Sequence, residues 1–248
     1  MSNPVMNRTM DRLGEEAVSY GRSGVEIPQV QISQLTIAGT MNRTLSLFGL
    51  MLVSAAVAWV LPFGPVIALP AGLVAFGLAM WASFSSKVRP AVIIAYAVAE
   101  GLFLSGISQI FEAAYPGIVT NAVLATTVTA GVMFVAYQRQ WIKVTARFRA
   151  MMTFALFGYL AFAVVNLLFS LFTGGGGVYT SSFGWLIALV GVGLASFTLV
   201  LDFADIETAA NVGAPAEYEW RFAFGLMVSI VWMYTEILRL LAILRGND

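Results

Sequence analysis

Residues 183–201 read FGWLIALVGVGLASFTLVL, and an acid, Asp202, follows them directly. A helix needs about 20 mainly apolar residues to cross the hydrocarbon core of a bilayer, and this stretch has that length without a charged residue. Six other segments have the same character, so the sequence predicts an all-α polytopic membrane protein. The seven predicted spans are Leu45 to Leu61, Val66 to Phe84, Ala91 to Phe111, Ile118 to Tyr137, Met152 to Phe172, Phe183 to Leu201 and Phe222 to Leu244.

The composition supports a membrane protein and excludes several classes of function. Hydrophobic residues make up 59% of the chain and charged residues 10%, which is more apolar surface than a soluble domain of this size buries. The 13 basic residues balance 13 acidic ones without forming a basic domain face, so we expect no nucleic-acid partner. The chain has neither His nor Cys, and so it lacks the commonest general base, thiolate nucleophiles and soft metal ligands. We therefore expect neither an enzyme nor a cofactor.

The positions of Lys and Arg predict the orientation of the chain, because short loops with positive charge stay in the cytoplasm. Lys and Arg occur before the first span and in the connections that follow the second, fourth and sixth spans. The other connections, 62–65, 112–117 and 173–182, contain neither. We therefore expect a cytoplasmic amino terminus and a carboxyl terminus outside. Residues 1–41 are predicted to be a flexible or partly helical cytoplasmic tail, and residues 42–248 the seven-helix transmembrane domain.

Two local patterns predict how neighbouring helices pack. The first two spans are joined by the tight turn Pro62 to Pro65, which predicts a helical hairpin. The sixth span carries Gly184, Ala188, Gly191 and Ala195 at steps of three or four residues. Small residues at this spacing form a face that lets membrane helices approach closely. We expect another helix to pack against it.

Three acids lie within or at the edge of the apolar segments. Glu100 is in the third span, Asp202 ends the sixth, and Glu236 is in the seventh. A charge in the hydrocarbon core costs at least about 2.5 kcal/mol, so acids there usually serve ion passage, proton uptake or a buried salt bridge. For Glu236, the alternative to function is a structural ion pair with Arg239, one turn away. Asp205 follows Asp202 and is expected among the cytoplasmic headgroups.

The sequences around the last two acids resemble those of a known family. The sixth span ends in LVLDFADI, residues 199–206, and the last span contains WMYTEILRLL, residues 232–241. Together with seven spans, these motifs resemble the Bax inhibitor-1 family of membrane proteins, which has bacterial members, so we expect the bacterial plasma membrane as the location. Asp202 matches the first acid of the family motif, and Glu236 stands where the family more often has Asp. The resemblance covers the chain from Met41 onward.

The resemblance implies a bundle in which six helices surround the seventh, and a pH-sensitive pair of acids that gates a calcium leak. Asp202 and Glu236 are then the ion path and pH sensor and bind calcium transiently, and Glu100 is added from its depth in the third span. The supporting charges are Asp205, Arg239, Lys87 and Arg89, of which Lys87 or Arg89 would replace an Arg that some members have at the end of helix two. The expected partners are the bilayer, calcium, protons and other membrane proteins.

The depth of the acids determines which of them can form a pair. Two like charges in a low dielectric cannot both ionise cheaply, so a carboxylate pair keeps one proton and acts as a proton switch. If the sixth connection is centred near Gly213, Asp202 lies level with Gly225, and Glu236 lies about 16 Å deeper. Either the connection is asymmetric, or the two acids occupy different stations on one path. In the second case Glu100 and Glu236 would form the pair near the middle of the membrane.

The sequence also allows three alternatives to a leak channel, which it supports to different degrees. An interaction protein would modulate other membrane proteins, such as proteases or stress regulators, without transport, and would use the tail Met1 to Thr40 for docking. An intramembrane hydrolase is disfavoured, because the segment Ser105 to Ser108 has no His partner. In the structural alternative, every intramembrane charge is neutralised by a partner within the bundle.

Overall fold

Seven long helices make up most of the computed structural model, which describes residues 33–60, 64–173, 177–181 and 183–246. Each helix is long and apolar enough to span a bilayer, which confirms the predicted fold class. A short 3-10 segment, Gly177–Thr180, precedes the sixth helix. The helices are α1 (Ile37–Val60), α2 (Gly64–Phe84), α3 (Pro90–Ala114), α4 (Ile118–Gln138), α5 (Ala146–Thr173), α6 (Gly184–Asn211) and α7 (Tyr218–Gly246).

Several helices extend well beyond the predicted spans. α1 begins at Ile37 instead of Leu45, and α6 continues to Asn211 instead of ending at Leu201. Hydropathy marks only the part of a helix that lies in hydrocarbon, whereas the backbone hydrogen bonds continue into the headgroup region. Asp202 therefore lies inside α6 and not at its end. Most of the predicted tail and docking segment, residues 1–32, falls outside the described residues.

α7 lies among the other six helices, as the resemblance implied. It packs against α1, α3, α4 and α6 along its length. Single side chains connect it with the remaining two helices. Arg221 of α7 donates a hydrogen bond to the carbonyl of Ser83 in α2 at 3.4 Å, and the ring of Trp232 lies 5.7 Å from that of Tyr159 in α5. α7 is therefore the element whose movement would change contacts throughout the bundle.

The expected hairpin of α1 and α2 is not a packed pair. α2 packs closely on α3, and α3 packs on α1, whereas α1 and α2 share few contacts. Glycines of α3 explain this arrangement. A Cβ atom at Gly106 would lie 2.5 Å from the Cβ of Ala68 in α2, and one at Gly101 would meet the main chain of Met51 in α1. The glycines of α3 thus allow α1 and α2 to pack closely on two sides of this helix. The turn residues 61–63 fall outside the described part of the chain.

Two buried apolar clusters flank α7. One lies between α7 and the helices α1 to α3 and includes Met227 and Val231. The other lies between α7 and the helices α4 and α6 and includes Met233 and Leu199. The small-residue face of α6 is buried, as predicted, and its members are Gly184, Ala188, Gly191 and Ala195. α6 and α7 can therefore approach closely.

One end of the bundle, which we call the basic face, carries the start of α1 and the connections 85–89, 139–145 and 212–217. The first two connections contain Lys87, Arg89, Arg139 and Lys143, and the adjoining first two turns of α1, α5 and α7 contain Arg43, Arg147, Arg149 and Arg221. The last connection turns at Gly213, which has a φ of 68°. This left-handed conformation suits glycine, because it has no Cβ. We call the other end of the bundle the opposite face.

A network at the basic face joins the start of α1 to the start of α7. Glu219, whose exposed fraction is 5%, accepts hydrogen bonds from the amide of Thr36 at 3.0 Å and from Nε of Arg43 at 2.8 Å. The amide of Leu35 donates to the carbonyl of Ala214 at 2.7 Å. The segment before α1 is thus fixed to the connection between α6 and α7.

Candidate functional site

Asp202 lies at the contact between α6 and α7. The hydroxyl of Ser229 donates a hydrogen bond to its Oδ2 atom, and a Cβ atom at Gly225 would lie 3.9 Å from its Oδ1 atom. The depth estimate that placed Asp202 level with Gly225 is therefore confirmed. Among the described residues, no Lys or Arg forms an ion pair with Asp202. Its recognised partner is a neutral hydroxyl.

Glu100 lies on the other side of α7, in α3. Its exposed fraction is 7%, and the hydroxyl of Tyr96, one turn earlier in the helix, lies beside its carboxyl group. The ring of Tyr96 packs edge-on against Phe224 of α7, with 5.0 Å between the ring centroids. In the part of the chain that the structure describes, Glu100 forms no ion pair. It is a second buried acid whose polar neighbour is neutral.

The contacts of α7 place Glu100 level with Asp202 and not with Glu236. The hydroxyls of Ser108 in α3 and Tyr234 in α7 form a hydrogen bond at 2.7 Å, which fixes the register of these two helices. Counted from that bond, Glu236 lies about 15 Å beyond Glu100 along the bundle. The expected midplane pair of Glu100 and Glu236 is therefore wrong. Glu100 and Asp202 instead occupy one level, on two sides of α7.

Glu236 forms a buried ion pair with Arg239. Its exposed fraction is 3%, and Nη1 of Arg239 donates to Oε1 at 2.9 Å and to Oε2 at 2.8 Å. The indole N–H of Trp232 donates to Oε1 at 3.1 Å. The guanidinium of Arg239 also lies over the ring of Tyr179, 4.6 Å from its centroid. The structural alternative is confirmed for this acid, because its charge is neutralised within α7.

Asp202 and Glu236 do not touch. A Cβ atom at Gly191 would lie 2.7 Å from Oε2 of Glu236, and Gly191 is about 16 Å from Asp202 along α6. Buried side chains fill the space between the two acids, and they include Ala195, Leu199 and Met233. In the described part of the chain, no group of three acids converges on a position for a metal ion. Asp202 of α6 and Glu236 of α7 therefore lie at different depths along the interface between these two helices.

Three of the four supporting charges, Asp205, Lys87 and Arg89, lie at the basic face, whereas Arg239 pairs with Glu236. Asp205 forms an ion pair with Arg149 of α5, with 2.7 Å between nitrogen and oxygen. Lys87 and Arg89 are exposed in the connection between α2 and α3. Within the described residues neither forms an ion pair, so neither is the expected partner of an intramembrane acid in this conformation.

Three residues of the site were not found from the sequence. Ser229 lies two turns before Glu236 and therefore on the same face of α7, so a search for polar residues at that spacing would have found it. Tyr159 of α5 faces the carboxylate of Glu236 near Gly191. Glu219, at the start of α7, binds Thr36 and Arg43. Only the packing of α5 and α1 against α7 reveals the last two.

A cavity of about 570 Å³ lies between α5 and α7, beside Glu236 and Arg239. Its polar side is formed by Tyr159, Tyr179 and Trp232 together with the ion pair. A second cavity, of about 430 Å³, has mainly apolar walls from α1, α3, α4 and α7. The first cavity gives Glu236 contact with open space on the side of the opposite face.

Comparison with known proteins agrees with the geometry of a seven-helix membrane protein. A family model described as Bax inhibitor 1 like matches residues 3–246, which is nearly the whole chain. The matched region includes both motifs around Asp202 and Glu236. A search of curated proteins found no match.

Proposed function

The chain belongs to the Bax inhibitor 1 like family, and from this premise we propose that it is a pH-sensitive calcium leak channel gated by protonation of intramembrane carboxylates. It is an integral membrane protein with seven membrane-spanning helices. We further propose that the membrane is a bacterial plasma membrane and that the basic face is cytoplasmic. Calcium is the transported ion in this proposal and not a resident cofactor.

One observation supports the proposal most directly. Glu100 and Asp202 lie at one level on two sides of α7, and the polar group beside each is a hydroxyl, of Tyr96 for Glu100 and of Ser229 for Asp202. An ionised carboxylate in the hydrocarbon core is costly unless a cation compensates it. The gain or loss of one proton at either acid therefore changes how α7 contacts α3 or α6. Glu236, which Arg239 neutralises, is less suited to that role.

The hydrogen bond between Ser229 and Asp202 provides a switch. An ionised carboxylate can only accept hydrogen bonds, whereas the protonated acid also has an O–H donor. Ser229 donates to the ionised form, and the protonated acid can donate to Ser229 in return. Protonation therefore removes a charge and reverses the hydrogen bond at the contact between α6 and α7. The ionised acid offers Ca²⁺ the hard oxygen ligand that this ion prefers.

The conformation of the bundle corresponds to a closed state. Ala195, Leu199 and Met233 each have an exposed fraction of 0% and lie between Asp202 and Glu236. A cation can pass only if α7 moves relative to its neighbours. We expect opening to separate α7 from α2, which are connected at the basic face by Arg221. Protonation would then set the populations of the closed and open forms.

The test is calcium flux into liposomes across a pH series. We compare the wild type with Asp202→Asn, Glu100→Gln and Glu236→Gln. We expect Asp202→Asn and Glu100→Gln to flatten the pH dependence, because each removes a group that can change its charge. Glu217→Gln is the matched control, since Glu217 is exposed at the basic face, and it should keep the wild-type curve. Identical curves for all variants would remove these acids from the mechanism.

The competing function, a membrane protein that modulates others without transport, gives a different result in the same assay. A channel should retain its flux after residues 1–32 are deleted, because the seven helices begin after them. Absence of flux at every pH, in the full chain and in the truncated one, would favour the interaction protein. Co-purification of membrane proteins that depends on residues 1–32 would then identify the docking segment.

A further inference from the structure

The cavity between α5 and α7 has two walls of different chemistry. Side chains of α7 and of the 3-10 segment form a polar and aromatic wall, in which Arg239 is the cation. The volume of about 570 Å³ lies within the range of sites that hold small molecules. An occupant that satisfies both walls must be amphipathic. The opposite wall, contributed by α5, carries the apolar side chains of Leu156, Leu160, Ala163 and Leu167 together with the polar side chains of Tyr159, Asn166 and Ser170.

Some N–H groups of Arg239 donate no hydrogen bond to a described residue. Of its three guanidinium nitrogens, only Nη1 donates to a described residue, and both of its bonds go to Glu236. The Nε and Nη2 groups carry further N–H donors. The side chain is 35% exposed, so these donors are accessible from the cavity. Arginine forms strong, paired hydrogen bonds with phosphate groups.

The cavity can be reached from the surrounding bilayer. α5 packs mainly on α6, and of its described side chains only Met152 and Asn166 are buried. Val228 of α7, one turn from Trp232, has an exposed fraction of 37%. The face of α7 beside the cavity is therefore not covered by α5. A molecule in the membrane can enter from the side, between the two helices.

From these observations we propose that the cavity between α5 and α7 binds one phospholipid of the surrounding bilayer. The phosphate accepts hydrogen bonds from Nε and Nη2 of Arg239. The first part of an acyl chain lies along Leu156, Leu160 and Leu167 of α5. The lipid thereby bridges α5 to α7 and shields the ion pair of Arg239 from water. This assignment does not depend on the proposed calcium leak.

The geometry favours a lipid over a soluble phosphate compound. Inorganic phosphate could bind Arg239, but it would leave the leucine side chains of the α5 wall without an apolar partner in the cavity. An occupant with a hydrocarbon chain makes van der Waals contacts with these side chains as well. The position of Arg239, about 10 Å before the end of α7, also places the phosphate near the headgroup region of the opposite face.

The test measures binding of phosphatidylethanolamine to the full-length protein by native mass spectrometry. We expect the wild type to retain one lipid molecule as the detergent is removed. Arg239→Gln should bind it about tenfold more weakly, the size expected for loss of a charge-assisted hydrogen bond. Ala163→Phe fills the cavity without touching the ion pair and should weaken binding at least as much. Arg245→Gln is the matched control, because Arg245 donates to the carbonyl of Pro116 instead.

The outcomes separate the two possible sources of the phosphate group. Equal lipid binding by the wild type and Ala163→Phe would overturn the proposal. Inorganic phosphate that raises the midpoint of thermal unfolding as much as the lipid does would also overturn it, since the site would then be a soluble-anion site. If Arg239→Gln does not fold, Ala163→Phe alone decides the matter, because it leaves the contacts of Arg239 with Glu236 in place.

Discussion

Gly191 determines how closely α6 approaches the ion pair of α7. A Cβ atom at this position would lie 2.7 Å from Oε2 of Glu236 and would also meet the hydroxyl of Tyr159. Neither the buried carboxylate nor the helix backbone can move away freely. The glycine therefore permits the contact between Glu236 and α6.

We expect Gly191→Ala to lower the free energy of unfolding by about 1–3 kcal/mol, the usual cost of overpacking a buried site. The measurement is thermal unfolding of the purified protein in detergent. Gly193→Ala is the matched control on the same helix, because a Cβ there would have no neighbour within 4 Å. Equal midpoints of thermal unfolding for Gly191→Ala and Gly193→Ala would show that the carboxylate of Glu236 can move away from the added Cβ without a loss of stability.

The acids of the site were found from the sequence, but only Glu236 had its partner identified there. A charged residue within an apolar segment can be recognised from the sequence alone, and this identified Asp202, Glu100 and Glu236. The ion pair of Glu236 with Arg239 was also predictable, since both lie on one helix at a spacing that brings side chains together. The hydroxyl partner of Asp202 comes from another helix, so only packing reveals it.

The depth of Asp202 followed from helical rise alone, whereas the depth of Glu236 relative to Glu100 did not. Asp202 and Gly225 are related through one short connection, whose length fixes their register. Glu100 lies about 15 Å from the start of α3, and Glu236 lies about 27 Å from the start of α7. α7 begins at Tyr218, four residues before the predicted span. The prediction therefore underestimated the distance between Glu236 and the start of α7.

At the scale of helices, the start of α7 is the point where several elements are joined. Glu219 fixes α1 through Thr36 and Arg43. We expect Glu219→Gln to release the start of α1, because the amide group of Gln offers a single acceptor oxygen. Hydrogen exchange should then become faster at the amide of Thr36 and little changed in the centre of α1. Glu217→Gln, an exposed neighbour, should leave the exchange of Thr36 unchanged.

Arg221 connects α7 with the end of α2. It donates hydrogen bonds to the carbonyls of Ser83 and Ser85, so it opposes separation of the two helices. We expect Arg221→Gln to raise calcium flux in liposomes at every pH, because the closed form loses these bonds. Lys87→Gln is the control, since Lys87 is exposed at the same end. Flux that is unchanged in Arg221→Gln would mean that opening does not part α2 from α7.

The helices themselves were predictable because hydropathy measures what a bilayer requires. Each predicted span lies within or close to a helix of the structure, and the differences are at the helix ends. There, water can form the backbone hydrogen bonds as well as a further helical turn can, so hydropathy does not mark the boundary. The pairing of α1 with α2 was wrong for a different reason. Glycines on α3 admit α1 and α2 from two sides, and sequence proximity gives no information about such a third helix.

At the scale of the whole molecule, seven spans place the two ends of the transmembrane domain on opposite sides of the membrane. The chain has no Cys, so a single introduced thiol reports on one position. We expect a membrane-impermeant maleimide to label Thr180→Cys in intact cells, and Ser86→Cys only after the membrane is permeabilised. Both positions are exposed, so access to the thiol should not limit labelling. The reverse pattern would mean that the basic face is outside.

The length of α5 has a consequence for the molecule in different membranes. With 28 residues, α5 is about 42 Å long, whereas the hydrocarbon core of a bilayer is about 30 Å thick. A helix longer than the core tilts, and a thinner bilayer tilts it further. Because α5 is held mainly along its side facing α6, each change of tilt moves one wall of the space beside Glu236. We therefore expect the width of the cavity beside Glu236 to vary with the thickness of the membrane.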